Sequence, residues 1–177
     1  MSKLLSILGL RAAGSFQSLD LTTTTTMIPN YGPAYLMFNF IFAYGILSSR
    51  TLKRYYKIDH NVSPREDLTK YGEAAVRDGK LTRRQLEMLK RNEAAHANAV
   101  ENYTFLVAAI VLATGTGVDH VLINLMSLVY TLARVAYGIF YLLIDDPVWS
   151  HLRGISWWVG NMTCFSLLYR SLVALNS

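Results

Sequence analysis

Residues 31–49 read YGPAYLMFNFIFAYGILSS, and they complete a run from Leu21 to Ser49 with no charged side chain. A bilayer's hydrocarbon core is about 30 Å thick and takes roughly 20 apolar residues as helix. The stretch fits that length. It also lacks the polar stripe with which an amphipathic helix of a soluble domain faces water. It therefore predicts a membrane-spanning helix, starting near Pro29 to Pro33 and running to Tyr56, with Arg50, Lys53, Arg54 and Lys57 at its end.

The rest of the chain follows the same rule. Asn102 to Val118 is a second charge-free run. Thr82-Arg83-Arg84-Gln85 reads as a capping box, the threonine capping and the glutamine reaching back. From there a helix can run to Ala113, longer than the bilayer core, so its first half projects into the cytosol or lines a polar cavity. Val121 to Ile144 spans if Arg134 is tolerated inside it, and Val148 to Ala174 spans with Arg153 and Arg170. Gly115-Thr116-Gly117 supplies a tight turn. Asp145-Asp146-Pro147 ends the third helix and starts the fourth, with Asp146 as cap and Pro147 in the first turn. The expected fold is all-α, a four-helix transmembrane bundle over residues 29–177 behind an N-terminal tail, 1–28, that is mobile or lies at the membrane interface.

Composition supports one such domain: 177 residues, 52% of them hydrophobic and only 16% charged. The net charge of +5 invites a nucleic-acid reading, but its placement argues otherwise. Twelve of the seventeen Lys and Arg lie between Arg50 and Arg91, in and around the first loop, as in a cytosolic connection under the positive-inside rule. Both termini then face the lumen of an endomembrane such as the endoplasmic reticulum. A glycan on the sequon Asn61-Val62-Ser63 would overturn that orientation. Cys164, the sole cysteine, excludes an intramolecular disulfide, and no zinc or haem spacing occurs. A channel or transporter subunit lacks support, since there is no ring of acidic residues and no broken helix.

Charged and amide side chains in a membrane helix are functional suspects. At helical spacing Arg91, Ala95, Asn98 and Asn102 share one face, with Glu101 at its edge, while His96 lies on another side. Arg134, Tyr137 and Tyr141 stand three and four apart and project together. Arg153 precedes Trp157 by one turn and Asn161 by two. Singly, each has a plain structural reading: Asn98 and Asn102 as interhelix bonds, Arg91 and Arg153 reaching the headgroups, Glu101 with Arg134 as a buried ion pair, and the Trp residues with Tyr141 as an interfacial belt. Together they exceed what packing needs and imply a bound ligand.

The pattern Arg91-x-x-x-Ala95-His96-x-Asn98-x-x-Glu101-Asn102, followed by an aromatic-rich apolar run, resembles the central motif of the MAPEG family, membrane-associated proteins of eicosanoid and glutathione metabolism. Arg134-Val135-Ala136-Tyr137-x-x-x-Tyr141 is similar to its third-helix motif, and Arg153 falls where its fourth helix carries an arginine. The resemblance implies a homotrimer that binds glutathione between subunits near the cytosolic side. It implies that Asn98 and Glu101 hold glutathione's polar groups, Glu101 its amino group. Arg134, Tyr137 and Tyr141 would belong to the same site, with the two tyrosines lining it. Arg50, Lys53 and Arg54 are its candidates for the carboxylates, and Arg153 for stabilising the thiolate. A free thiol has a pKa of about 8.5, and a neighbouring guanidinium favours its ionised form. The resemblance thus implies a glutathione transferase or peroxidase acting on hydrophobic electrophiles that arrive from the bilayer. Its alternative is a non-catalytic lipid-binding adaptor of the same fold. Gly154, Trp157, Ala94 and Ala97 depart from the prostaglandin-synthase branch, which carries serine, tyrosine and two arginines there, and point away from prostaglandin isomerisation.

Overall fold

The computed structural model describes residues 28–177, so nearly all of the expected tail, 1–28, lies outside the described residues. Helix α1, Gly32–Ile41, starts with a proline in its first turn, where no N–H is needed. The Asn124 side chain fixes its entry, accepting from the Tyr31 N–H at 2.8 Å and donating to the Pro29 carbonyl at 2.9 Å.

The first helix was expected to run unbroken to Tyr56, and it does not. It widens into a π-helical turn at Phe42–Ile46, closed by the Leu47 N–H on the Phe42 carbonyl at 2.9 Å. Ser48 is extended, and a separate helix, α2, covers Ser49–Tyr55. Partners on the neighbouring long helix explain the break. The His96 ring donates from Nδ1 to the Ala43 carbonyl at 3.0 Å, and Asn92 donates to the Leu47 carbonyl at 3.2 Å. These two donors, one turn apart, satisfy carbonyls around the irregular stretch.

The first loop also departs from its expectation as a polar connection. It contains two short helices, α3 at Asp67–Lys70 and α4 at Gly72–Arg77. With the start of the next helix they close a small core of Ile58, Leu68, Ala75, Leu81, Leu86 and Leu89. Helix α5, Arg83–Gly115, carries the expected capping box in full, with Thr82 and Gln85 bonded reciprocally at 3.2 and 2.8 Å. Its 33 residues reach roughly 50 Å. Gly117, with φ of +74°, makes the turn into α6, His120–Leu143, which Asp119 caps. Helix α7 begins later than expected, at His151, and ends at Leu175. Asp146 does accept from the Val148 and Trp149 N–H groups, but it caps a preceding turn, and Ser150 takes the N-cap position without a side-chain capping bond, its hydroxyl donating back to the Pro147 carbonyl.

Among the described residues there is no strand. Helices α6 and α7 pack along each other, α5 lies against both, and α1 touches α5 and α6. The surface is the inverse of a soluble protein's. Exposed apolar side chains line α1 (Met37, Phe40, Ile41), α6 (Leu132, Ile139) and α7 (Ile155, Trp158, Phe165, Leu172), while Asn39, Asn102, Asn124, Thr131, Arg134 and Asn161 are buried between helices. Such an exterior matches hydrocarbon, where interior polar groups must bond to one another. Two helices, α5 and α6, are long and apolar enough to cross a bilayer.

Candidate functional site

The site is assembled around one guanidinium. Arg134 on α6 is only 3% exposed, held there by Tyr130 and by Gly160, which leaves room for its methylenes. It donates from Nη2 to the Asn98 side-chain oxygen at 2.9 Å and to the Asn98 carbonyl at 3.3 Å. Asn102, one turn along α5, donates to the same two oxygens at 3.3 and 3.1 Å. The Tyr130 hydroxyl donates to the Asn102 carbonyl at 3.0 Å. Two donors thus converge on the Asn98 amide oxygen. Its N–H₂ group has no hydrogen bond to another described residue, and Asn98 is half-buried. Glu101, one turn further, is exposed and has no ion-pair partner among the described residues.

A stacked series continues from Arg134 toward the end of the helices. Its guanidinium lies 4.4 Å from the Tyr137 ring centre, Tyr137 and Tyr141 are 4.9 Å apart, and the Arg153 guanidinium sits 4.7 Å over Tyr141. Arg153 is half-buried and, among the described residues, has no hydrogen-bond acceptor for its guanidinium. One turn later the Trp157 Nε1 is buried without a hydrogen-bond partner among the described residues. Arg153 and the Trp157 indole thus offer a cation and a donor without acceptors among the described residues, while Asn98 and Glu101 on α5 add an amide and a carboxylate.

The structure therefore brings Asn98, Arg134, Tyr137, Tyr141 and Arg153 into contact and leaves Glu101 one turn away on the outer face. The ion pair envisaged between Glu101 and Arg134 does not form; amide oxygens serve the arginine instead. The basic end of the first helix is occupied elsewhere. Lys53 is 1% exposed, paired with Glu93 and donating to the Pro64 carbonyl at 2.7 Å, so in this chain it fastens the loop to α5. Arg50 and Arg54 both pair with Asp59, at 3.0 and 3.2 Å. The Arg50 guanidinium beside Asp59 holds that carboxyl below the usual carboxylate range, with Arg54 adding to the effect. Arg50 also donates to the Asn61 side chain at 2.8 Å and is part-buried, whereas Arg54 is exposed.

Sequence reasoning missed Asp59, Glu93 and Asp67, the carboxylates that organise the basic loop. It also missed the reach of Asn92 and His96 to α1. Their spacing of four residues on α5 was the available signal, since it places two polar groups on one face.

An apolar exterior around a bonded polar interior, with two helices fit to cross a bilayer, defines a helical membrane protein. The chain belongs to the MAPEG family, whose model matches residues 31–173, from the first turn of α1 almost to the end of α7. That family includes glutathione transferases and non-enzymatic members. Comparison with curated proteins and with solved structures gave no match.

Proposed function

We propose that this protein is a membrane-bound glutathione transferase or peroxidase acting on hydrophobic electrophiles, built as a four-span bundle that works as a homotrimer. The observation that carries the reading is the Arg153 guanidinium, seated over Tyr141 with no acceptor among the described residues, at the end of a contact series that leads back to Asn98. A lone cation in an apolar setting favours an anion beside it, and here that anion is a thiolate.

Glutathione supplies the thiol. Asn98, its oxygen held by Arg134 and Asn102, donates to a ligand carbonyl or carboxylate. Glu101 accepts from an ammonium group, and Arg50 and Arg54 are the candidates for the remaining carboxylate. Tyr137 and Tyr141 form one wall. Glu101 faces outward, and a carboxylate on the outer surface of a membrane helix costs several kcal/mol unless something meets it. A site shared with a neighbouring copy removes that cost, which supports the trimer. The basic residues 50–91 support a cytosolic first loop and an endoplasmic-reticulum or related membrane.

The second reading, a lipid-binding adaptor without catalysis, is favoured by one feature. A largely apolar groove of about 710 Å³ runs along α7 past Gly154, Ile155, Trp158 and Met162, wide enough for an acyl chain. The test is glutathione binding to detergent-purified protein, followed by thiolate absorbance, for wild type and Arg153→Ala. Binding with a thiolate signal that Arg153→Ala abolishes supports the enzyme. Binding without thiolate, or none at millimolar glutathione, removes the transferase and leaves the adaptor.

A further inference from the structure

A second groove, of about 350 Å³, lies between the first turns of α5 and the end of α6, and the proposed transferase chemistry does not use it. Thr82, Arg84, Gln85, Met88 and Arg91 form one wall, and Leu142 and Leu143 the other. We propose that it is a binding site for the headgroup of an anionic glycerophospholipid.

Three observations converge on that ligand. The cations in the groove are not firmly neutralised. Arg91 uses Nε to donate to the Tyr141 carbonyl at 3.1 Å, a neutral acceptor, and its terminal nitrogens have no bonded acceptor among the described residues. Arg84 meets Asp145 at 3.4 Å, with both side chains exposed, and an exposed pair of that kind exchanges readily for a stronger anion. The positive end of the α5 dipole opens at the same mouth.

The remaining lining is apolar. Met88, Leu142 and Leu143 offer contact area to hydrocarbon, and Leu143 is 72% exposed. A soluble anion has no use for that surface.

Position supplies the third observation. Helix α6, one of the two fit to cross a bilayer, ends at Leu143, and Asp145 and Asp146 follow at once. The change from leucine to aspartate marks the level where the helix leaves hydrocarbon. Two guanidiniums above three apolar side chains at that level match a phosphodiester above acyl chains. Basic pockets between membrane helices recognise lipid headgroups in this way. Asp145, freed from Arg84, would face solvent.

The test uses the full chain in lipid nanodiscs of phosphatidylcholine alone or with one quarter phosphatidylglycerol. Lipid retained after transfer to detergent is counted by native mass spectrometry. The expected result is one phosphatidylglycerol retained per chain in preference to phosphatidylcholine. Arg84→Gln and Met88→Glu should each lower that retention about fivefold. Lys57→Gln and Lys80→Gln, which remove cations outside the groove, should leave it unchanged. Arg91→Gln would also loosen the end of α6, so it is not the deciding variant. Equal retention of the two lipids overturns the proposal, as does an equal fall with the outside lysine variants, which would mean diffuse attraction of charge. Displacement of the lipid by millimolar inorganic phosphate or glutathione also overturns it, because the groove would then be a soluble-anion site.

Discussion

The Arg134 Nη2 lies 2.9 Å from the side-chain oxygen of Asn98, and this bond joins a buried cation on α6 to a neutral amide on α5. Each partner depends on the other differently. Without the Asn98 side chain the guanidinium keeps only the Asn98 backbone carbonyl at 3.3 Å and the Tyr137 ring, and loss of a hydrogen bond to a buried charge costs about 1.5–3 kcal/mol. Without Arg134 the amide still receives Asn102. Asn98→Leu is therefore expected to lower the unfolding midpoint in detergent more than Arg134→Leu does. Arg134→Gln, which keeps a neutral donor, should recover part of the loss in glutathione affinity seen with Arg134→Leu. Failure of glutamine to do better than leucine would mean that the ligand needs the charge itself.

Lys53 and Glu93 show the same asymmetry where the first loop meets α5. The lysine is buried at 1% exposure, whereas Glu93 retains 30% of its side-chain surface. Glu93→Ala leaves an ammonium with only the Pro64 carbonyl and is expected to cost about 3 kcal/mol. Lys53→Met leaves a carboxylate that water can reach and should cost less than half as much. Unfolding midpoints of the two variants check the order, and the reverse order would place the burial on the wrong partner.

Acid should release the loop at a definite place. Asp59 titrates below the usual carboxylate range because Arg50, and then Arg54, hold its charged form. Its contribution to stability is complete above the unfolded carboxyl value of about 3.9 and is lost as pH falls through the lower folded value. Proteolysis of the segment 50–66 should therefore accelerate below pH 4 in the wild type. Asp59→Asn should show the faster rate already at pH 7, with no further change from this group on acidification.

Much of this arrangement is legible in the amino-acid sequence itself. Periodicity and charge gaps located α5 and α6 to within a few residues, and the Thr82 and Gln85 box was visible because its chemistry is local. The spacing of Arg134, Tyr137 and Tyr141 announced their common face for the same reason. Two kinds of feature stayed hidden. The π turn at Phe42–Ile46 depends on donors from another helix, so nothing within α1 signals it. The partners of Arg50, Lys53 and Arg54 come from residues up to 40 positions away, and composition alone made all three look free. Asp146 misled because an aspartate before proline and valine caps a turn as readily as a helix.

Glycine positions separate packing from chemistry near the site. A Cβ on Gly138 would meet Phe42 at 3.2 Å and Leu47 at 3.3 Å, between α6 and the π turn. Gly138→Ala crowds these two side-chain ends by a few tenths of an ångström and is expected to lower the unfolding midpoint, by at most about 1–3 kcal/mol as overpacking does. A Cβ on Gly154 meets nothing within 4 Å. Gly154→Ala should leave the unfolding midpoint unchanged or slightly raised, since alanine is the better helix former. A fall of several degrees with Gly154→Ala would mean that a neighbouring copy closes on that face.

Tyr141 offers the sharpest division between a hydroxyl role and a ring role. The Arg153 guanidinium stands 4.7 Å over its ring, a contact worth about 0.5–2 kcal/mol depending on desolvation. If the ring's purpose is to hold that cation beside the sulfur, Tyr141→Phe keeps most of the effect and Tyr141→Leu loses it. The expected readout is thiolate absorbance of bound glutathione across pH 5–9. Phenylalanine should leave the midpoint near that of the wild type, while leucine should move it upward by about one unit, corresponding to about 1.4 kcal/mol. The sign follows from the charge, since a guanidinium displaced from the thiolate no longer favours the ionised form. Equal upward shifts for both variants would transfer the role from the ring to the phenol, which would then be the donor that the thiolate meets.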